Sequence, residues 1–252
     1  MNNKKIYIIA DAHLGAKPQA LSDLVTWVKG LDAANTQLIF LGDLFHIWAA
    51  PKKYHSEDVT LLMCALEEFK QASGKSSLVV GNRDVFFKTG DQNPMKHLPF
   101  DEIALDFLQV KVGEKTLLCT HGDLVNSKDK QYLRWRRLLR SKLLRIGFAF
   151  VPAAKVKAIM MDLENKLKGT NQAFRIAFPV AEWENFLLKV TEKYPFDLLV
   201  VGHFHPAEPV VSEIASATAF DTATAIVIPD WFAEKKALAV NNDLEYEIIT
   251  TP

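Results

Sequence analysis

Cysteine is scarce in this chain: of 252 residues, only Cys64 and Cys119 are cysteines. Both stand in apolar sequence, which fits a reducing compartment and argues against a disulfide framework. Long hydrophobic runs are missing too. No stretch approaches the roughly 18 uncharged apolar residues that a membrane-spanning helix needs. The start, MNNKKIYIIADAH, has a short apolar run, Ile6 to Ala10, that leads straight into Asp11 and His13. It reads as a buried strand, not a secretory leader. Net charge is absent, with 30 Lys and Arg against 30 Asp and Glu. That argues against a general nucleic-acid binder. Internal repeats and low-complexity linkers are also lacking, so one domain over 1–252 is expected. What is plentiful is apolar side chain, at 49% of residues, enough for a sizeable core.

Short runs rich in Ile, Val and Leu recur at 6–10, 38–41, 78–80, 117–119 and 198–201. They suit strands buried on both faces. Between them Leu21, Leu24, Val25, Val28 and Leu31 keep helical spacing, as do Leu62, Leu66 and Phe69. An α/β layered fold is therefore expected. Residues 127–190 interrupt the alternation and read as helices alone. From Lys128 to Lys168 twelve basic side chains face three acidic ones, a local net charge of +9. The neutral total thus conceals a polarised protein.

Each strand-like run ends in metal-ligand residue types: Asp11-Ala-His13, Gly42-Asp43, Gly81-Asn82-Arg83-Asp84, Thr120-His121-Gly122-Asp123 and Gly202-His203-Phe204-His205. Ligands of open α/β sheets gather at the carboxyl ends of strands. Side chains two apart on an extended segment point the same way, so Asp11 and His13 can grip one ion. His203 and His205 can do likewise, or a loop can send them to two ions. A carboxylate such as Asp43 can bridge. Mixed nitrogen and oxygen donors suit Mn, Fe or Zn better than Mg or Ca. His46 is a candidate for the cleft border; His55 and His97 read as loop residues.

The ordered series DAH, GDLFHIW, GNRD, THGD and GHFH resembles the calcineurin-like metallophosphoesterase family. The resemblance implies a two-sheet β-sandwich flanked by helices, here with an inserted helical lid at 127–190. It implies two divalent metal ions, expected to be Mn²⁺. One would take Asp11, His13, Asp43 and His205; the other would take Asp43, Asn82, His121 and His203. Many family members carry His where this chain has Arg83, and use it to protonate the leaving oxygen. Arginine stays charged and cannot, but it can bind a phosphate oxygen bidentately. A substrate whose leaving group is already weakly basic, such as a pyrophosphate, suits that change. Asn82 and Arg83 are the expected catalytic pair. The rival reading is an Arg83 fixed in an ion pair with Asp84.

GDLFHIW, GNRD and HGD resemble the branch of the family that hydrolyses UDP-2,3-diacylglucosamine at the α-phosphorus, giving UMP and 2,3-diacylglucosamine 1-phosphate for lipid A. That resemblance implies a UDP-linked glycolipid substrate contacted by Asn82, Arg83, Asp129, Tyr132, Gln172, Arg175 and His203. It implies a cytoplasmic enzyme, peripheral on the inner face of a bacterial inner membrane. Tyr132, Trp135, Leu139, Leu143, Ile146 and Phe150 follow one helical face, with Arg134, Arg136, Arg137, Arg140 and Arg145 around it. A basic helix with an apolar face reads as anionic-membrane binding, or as a stripe packed on the core. A monomer that binds no nucleic acid is expected. Three alternatives stay open: a soluble nucleotide or dinucleotide phosphoesterase, a nuclease, and a metal-binding membrane scaffold without activity.

Overall fold

The computed structural model describes residues 4–15, 18–87, 97–156, 158–159, 162, 178–215 and 222–252. Its strands are β1 (Lys5–Ile9), β2 (Thr36–Phe40), β3 (Trp48–Ala49), β4 (Lys75–Val79), β5 (Asp84–Val85), β6 (Glu102–Ala104) and β7 (Phe107–Val112). They continue as β8 (Lys115–Thr120), β9 (Leu198–Val201), β10 (Val210–Ala215), β11 (Thr222–Val227), β12 (Lys236–Val240) and β13 (Tyr246–Thr250). The helices are α1 (Pro18–Gly30), α2 (Glu57–Gln71), α3 (Lys130–Leu139), α4 (Lys142–Ala149), α5 (Val180–Lys193) and α6 (Trp231–Glu234).

Two sheets form the body. One is six-stranded, ordered β13-β12-β1-β2-β4-β6; the other is five-stranded, ordered β10-β11-β9-β8-β7. In the first, β1, β2, β4 and β6 run parallel; in the second, β8, β9 and β11 do. Ile8, Ile39, Leu41 and Val79 of the first sheet meet Leu117, Cys119, Leu198 and Val200 of the second in one buried layer. Alternate residues point outward. Leu38 and Phe40 pack with Leu24, Val28, Leu62 and Leu66 beneath α1 and α2. Leu118, Leu199 and Val201 pack with Trp183, Phe186, Leu187 and Val190 of α5. Burial on both faces explains the unbroken apolar runs. The layered α/β expectation holds: a two-sheet sandwich with helices on both sides.

Two expectations are corrected. Cys119 is buried, whereas Cys64 is exposed on α2 despite its apolar neighbours in sequence. The apolar face from Tyr132 to Phe150 is not one helical face. α3 ends at Leu139 with Arg140 as its C-cap, and Ser141 caps a new helix by accepting from Leu144 N at 3.2 Å. The break resets the helical phase. Leu139, Leu144 and Phe148 pack inward against Ala49, Val85 and Phe86. Leu143, Ile146 and Phe150 are left outside, at 84%, 57% and 85% exposure.

Candidate metal centre

The carboxyl ends of β1, β2, β4, β8 and β9 meet at one end of the sandwich, where the facing sheets deliver five loops to a single cleft. The turn after β2 approaches the one after β4 very closely. A Cβ on Gly81 would sit 2.3 Å from Asp43 Oδ1, and one on Gly42 would sit 2.5 Å from Gly81 N. Only glycine fits at either place. Asp11, His13, Asp43, His203 and His205 all have positive φ, between 42° and 73°. L-residues adopt this backbone rarely, and it concentrates where function over-determines the chain. So Asp11 and His13 converge because each loop is left-handed, not because the segment is extended.

The side chains sort into two overlapping groups. Asp11, His13 and His205 each bring one donor atom within 4.8 Å of the others, and so do Asp11, Asp43 and His121. His205 Nε2 lies 3.2 Å from Asp11 Oδ1, and His121 Nε2 lies 3.7 Å from Asp43 Oδ1. Asn82 Oδ1 is 2.9 Å from His121 Nε2, and His203 Nδ1 is 3.2 Å from the same nitrogen. His203 and His205 therefore part company, one toward each group. Asp11 reaches both groups, although one of its oxygens already accepts from His203 N at 2.7 Å.

Asp11 Oδ1 and both ring nitrogens of His13 are buried with no hydrogen-bond partner among the described residues. Buried polar atoms rarely stay unpaired. Buried acids beside imidazoles, with lone pairs aimed inward, fit divalent cations. Electrostatics carry the same strain. Burial raises Asp84, and the neighbouring Asp43 raises it further, to about 7. Burial disfavours a charged His121, yet Asp43, Asp11 and Asp123 outweigh it and lift it to about 9. Burial and His121 push His203 down to about 4.

Arg83 lines the cleft beside Asn82. Among the described residues it pairs with Asp43, with Nε 3.4 Å from Oδ2, and not with Asp84. Its terminal nitrogen lies 3.4 Å from His46 O and 3.5 Å from His46 Nδ1, so His46 does border the site. Asp84 has a different task that sequence reasoning missed: one oxygen accepts from Gly81 N at 2.8 Å and Asp43 N at 3.0 Å. The only available signal was its place in GNRD. His55 and His97 both contact Ala50 O, in keeping with loop roles.

On the far side the cleft is closed by Asp129 and Tyr132. Both are occupied locally. Asp129 caps α3 by accepting from Tyr132 N at 2.8 Å. The Tyr132 hydroxyl donates to Asp123. Asp123, fully buried, also takes Arg136 Nε at 2.6 Å. Asp106 pairs with Arg136 and Arg140, each at 2.7 Å. Burial pushes Asp123 up, but Arg136 and its other cationic neighbours hold it at about 2. Two of the arginines expected to face a membrane are thus bound inward. Gln172 and Arg175 lie outside the described residues.

Nitrogen and oxygen donors around a polar cleft, with a guanidinium beside them, make this a metal-dependent hydrolase of phosphorus-bearing substrates. The chain belongs to the calcineurin-like phosphoesterase family, which it matches over residues 4–207. It is 24% identical over 251 residues to the UDP-2,3-diacylglucosamine hydrolase of Vibrio cholerae serotype O1, covering 97% of this chain and 96% of that one. Against the UDP-2,3-diacylglucosamine hydrolase of Haemophilus ducreyi the identity is 25% over 246 residues, covering 96% and 98%. Among solved structures, an archaeal phosphodiesterase aligns with a TM-score of 0.48 at 14% identity, covering 97% of this chain and 98% of that one.

Proposed function

We propose that this chain hydrolyses the pyrophosphate of UDP-2,3-diacylglucosamine at the α-phosphorus, releasing UMP and 2,3-diacylglucosamine 1-phosphate. One observation carries the reading: Arg83, which can hold but not protonate a phosphoryl oxygen, stands beside Asn82 and Asp43 in the cleft. The full-length likeness to hydrolases of that name supports it.

Asp11, His13, Asp43 and His205 would hold one cation; Asp43, Asn82, His121 and His203 would hold the other, both Mn²⁺. When bound, such ions supply an acidified water and Lewis acidity at the phosphoryl oxygens. The chain's own groups do the rest. The Arg83 backbone N donates to Asp43 Oδ1 at 2.8 Å, which ties the guanidinium loop to a ligand. Its planar fork is preorganised for the charge that builds on the non-bridging oxygens. The acylated sugar phosphate leaves as a weak base and needs no proton donor. Asn82 and His203 face the same oxygens, and Asp129 and Tyr132 form the wall for the rest of the substrate, with Gln172 and Arg175 as further contacts.

Residues 127–190 would form the lid, with α3 and α4 as its described part and α5 rooting it on the second sheet. No helix among the described residues is long and apolar enough to cross a membrane. The described part of the lid instead exposes Leu143, Ile146 and Phe150, and also Arg134, Arg137 and Lys142, to solvent. Apolar and basic side chains together suit the surface of an anionic inner-membrane leaflet, approached from the cytoplasm. The test is UMP release with Mn²⁺, comparing UDP-2,3-diacylglucosamine with UDP-N-acetylglucosamine. A strong preference for the acylated substrate is expected; equal rates would leave a soluble nucleotide phosphoesterase.

A further inference from the structure

The matched family region ends at residue 207, yet the chain returns to the site once more. Between β11 and β12 it passes behind His205. Trp231 N donates to Ala10 O at 2.9 Å, next to Asp11. Trp231 is fully buried, its indole donating to Thr251 Oγ1 at 2.8 Å and its ring covered by Lys235 Nζ at 3.7 Å. This fixes Asp230, which is 4% exposed and divides its two oxygens. Oδ1 caps α6 by accepting from Ala233 N at 2.6 Å. Oδ2 lies 3.5 Å from His205 Nδ1.

The other ring nitrogen of His205, Nε2, faces Asp11 Oδ1 at 3.2 Å. The imidazole thus stands between a carboxylate on the ligand side and a carboxylate behind. His121 is held by the same logic with a different partner: its Nδ1 lies 2.6 Å from Leu41 O, and its Nε2 faces the site. A histidine can offer a lone pair on one nitrogen only if the proton sits on the other, and the partner behind decides which.

We propose that Asp230 is a positioning residue of the metal centre: it holds the proton of His205 on Nδ1 and so presents Nε2 as the ligand atom. The inference rests on the ligand set proposed above. The 3.5 Å contact is long for a hydrogen bond. A cation on Nε2 makes Nδ1–H a stronger donor and tightens it, so Asp230 and the ion favour one another.

The test titrates Mn²⁺ calorimetrically into the metal-stripped full chain. Asp230→Asn retains a capping oxygen for Ala233 N, but turns an amide donor toward Nδ1 and drives the ring proton onto Nε2. One of the two ions should bind about 10–100-fold more weakly, while the metal-free melting temperature stays near wild type. Asp230→Ser keeps the cap and removes the partner, so it should show an intermediate loss. In a His205→Ala background, Asp230→Asn should add nothing. Wild-type affinity in Asp230→Asn, with His205→Ala weakened, overturns this inference alone. An equal loss with and without the His205 ring also overturns it. Wild-type affinity in His205→Ala overturns the ligand assignment as well.

Discussion

The strand-end loops and the helices after β8 are both dense in charge, and they treat it in opposite ways. In the loops, Asp11, Asp43 and His121 are buried and crowd one another, and Asp11 Oδ1 and the His13 nitrogens have no hydrogen-bond partner among the described residues. In the helices, Arg136 spans Asp123 and Asp106, Arg140 joins at Asp106, and Tyr132 completes Asp123. One cluster has unmet demand that a cation would satisfy. The other is closed on itself and holds a helix in place. The difference teaches that charge density does not mark a site; unsatisfied, strained charge does.

The comparison breaks most visibly at Asp43. Its Oδ1 accepts from Arg83 N and lies 3.7 Å from His121 Nε2, while its Oδ2 lies 3.4 Å from Arg83 Nε, so it joins the guanidinium loop to the histidine side of the site. Asp43→Ala should lower turnover on the order of 10³-fold or more, and metal analysis should find well under two ions per chain. Retention of two ions would remove Asp43 from the bridging role. Gly81→Ala reaches the same carboxylate without deleting it, since the new Cβ would lie 2.3 Å from Oδ1. It should cost less than Asp43→Ala and more than a surface change.

Arg83 comes next. A charge-assisted contact worth about 1.5–3 kcal/mol corresponds to roughly 10–200-fold in rate. Arg83→Ala should show that loss, and Arg83→Lys should recover only part of it. The alkaline limb of the pH–rate profile should survive in Arg83→Ala, because no titrating proton leaves with the guanidinium. A vanished limb would mean that this position acts as an acid.

Much of the centre was legible because its residue types are unusual at strand ends and the strands are buried on both faces. Asp11, His13, Asp43, Asn82, His121, His203 and His205 all arrive in one region. The left-handed backbone at five of them was not legible, since nothing in Asp-Ala-His announces a positive φ. Nor were Asp84 and Asp230, whose work is done on atoms brought close only by the fold, such as Asp43 N and His205 Nδ1. The expected apolar face of α3 and α4 misled for a specific reason. A regular spacing across 132–150 ignores a cap, and Ser141 is a residue type that starts helices. Which arginines turn inward depends on Asp123 and Asp106, which the fold rather than helical spacing brings to α3.

The closed network has its own test. Arg136→Met leaves Asp123 buried and unpaired with a cation, so stability should fall by about 3–5 kcal/mol, read as the denaturation midpoint. Asp106→Asn touches a half-exposed partner and should cost about 1 kcal/mol or less. Burial pushes Asp106 up, but Arg136 and Arg140 outweigh it and hold it below the ordinary carboxylate value. A depressed folded value stabilises above the unfolded value of about 4 and is lost as pH falls through the folded one. Protection factors of α3 amides, exchange rates corrected for the intrinsic pH dependence, should therefore fall below about pH 4 in the wild type. In Asp106→Asn that pH dependence should shrink; an unchanged profile would exclude Asp106 as the acid-sensitive link.

The smallest expected effect on the folded chain separates the two faces of the proposed lid. Leu143, Ile146 and Phe150 are outside, and α4 is held from its other side by Leu144 and Phe148. Changing all three to Ser should leave stability within about 1 kcal/mol, because exposed side chains away from special features contribute little. Metal content and hydrolysis of a small chromogenic phosphodiester should match the wild type, since no residue of the cleft is touched. If the proposed membrane contact is real, co-sedimentation with anionic vesicles should fall at least tenfold, each lost apolar side chain having removed about 1 kcal/mol or more of burial in the interface. Arg134→Gln with Arg137→Gln should give a milder loss that salt mimics in the wild type, because those exposed charges act through a screened field. Arg140→Gln should not weaken vesicle binding, as its guanidinium is committed to Asp106. Vesicle binding that ignores the three apolar positions but follows Arg140 would reverse the assignment of the two faces.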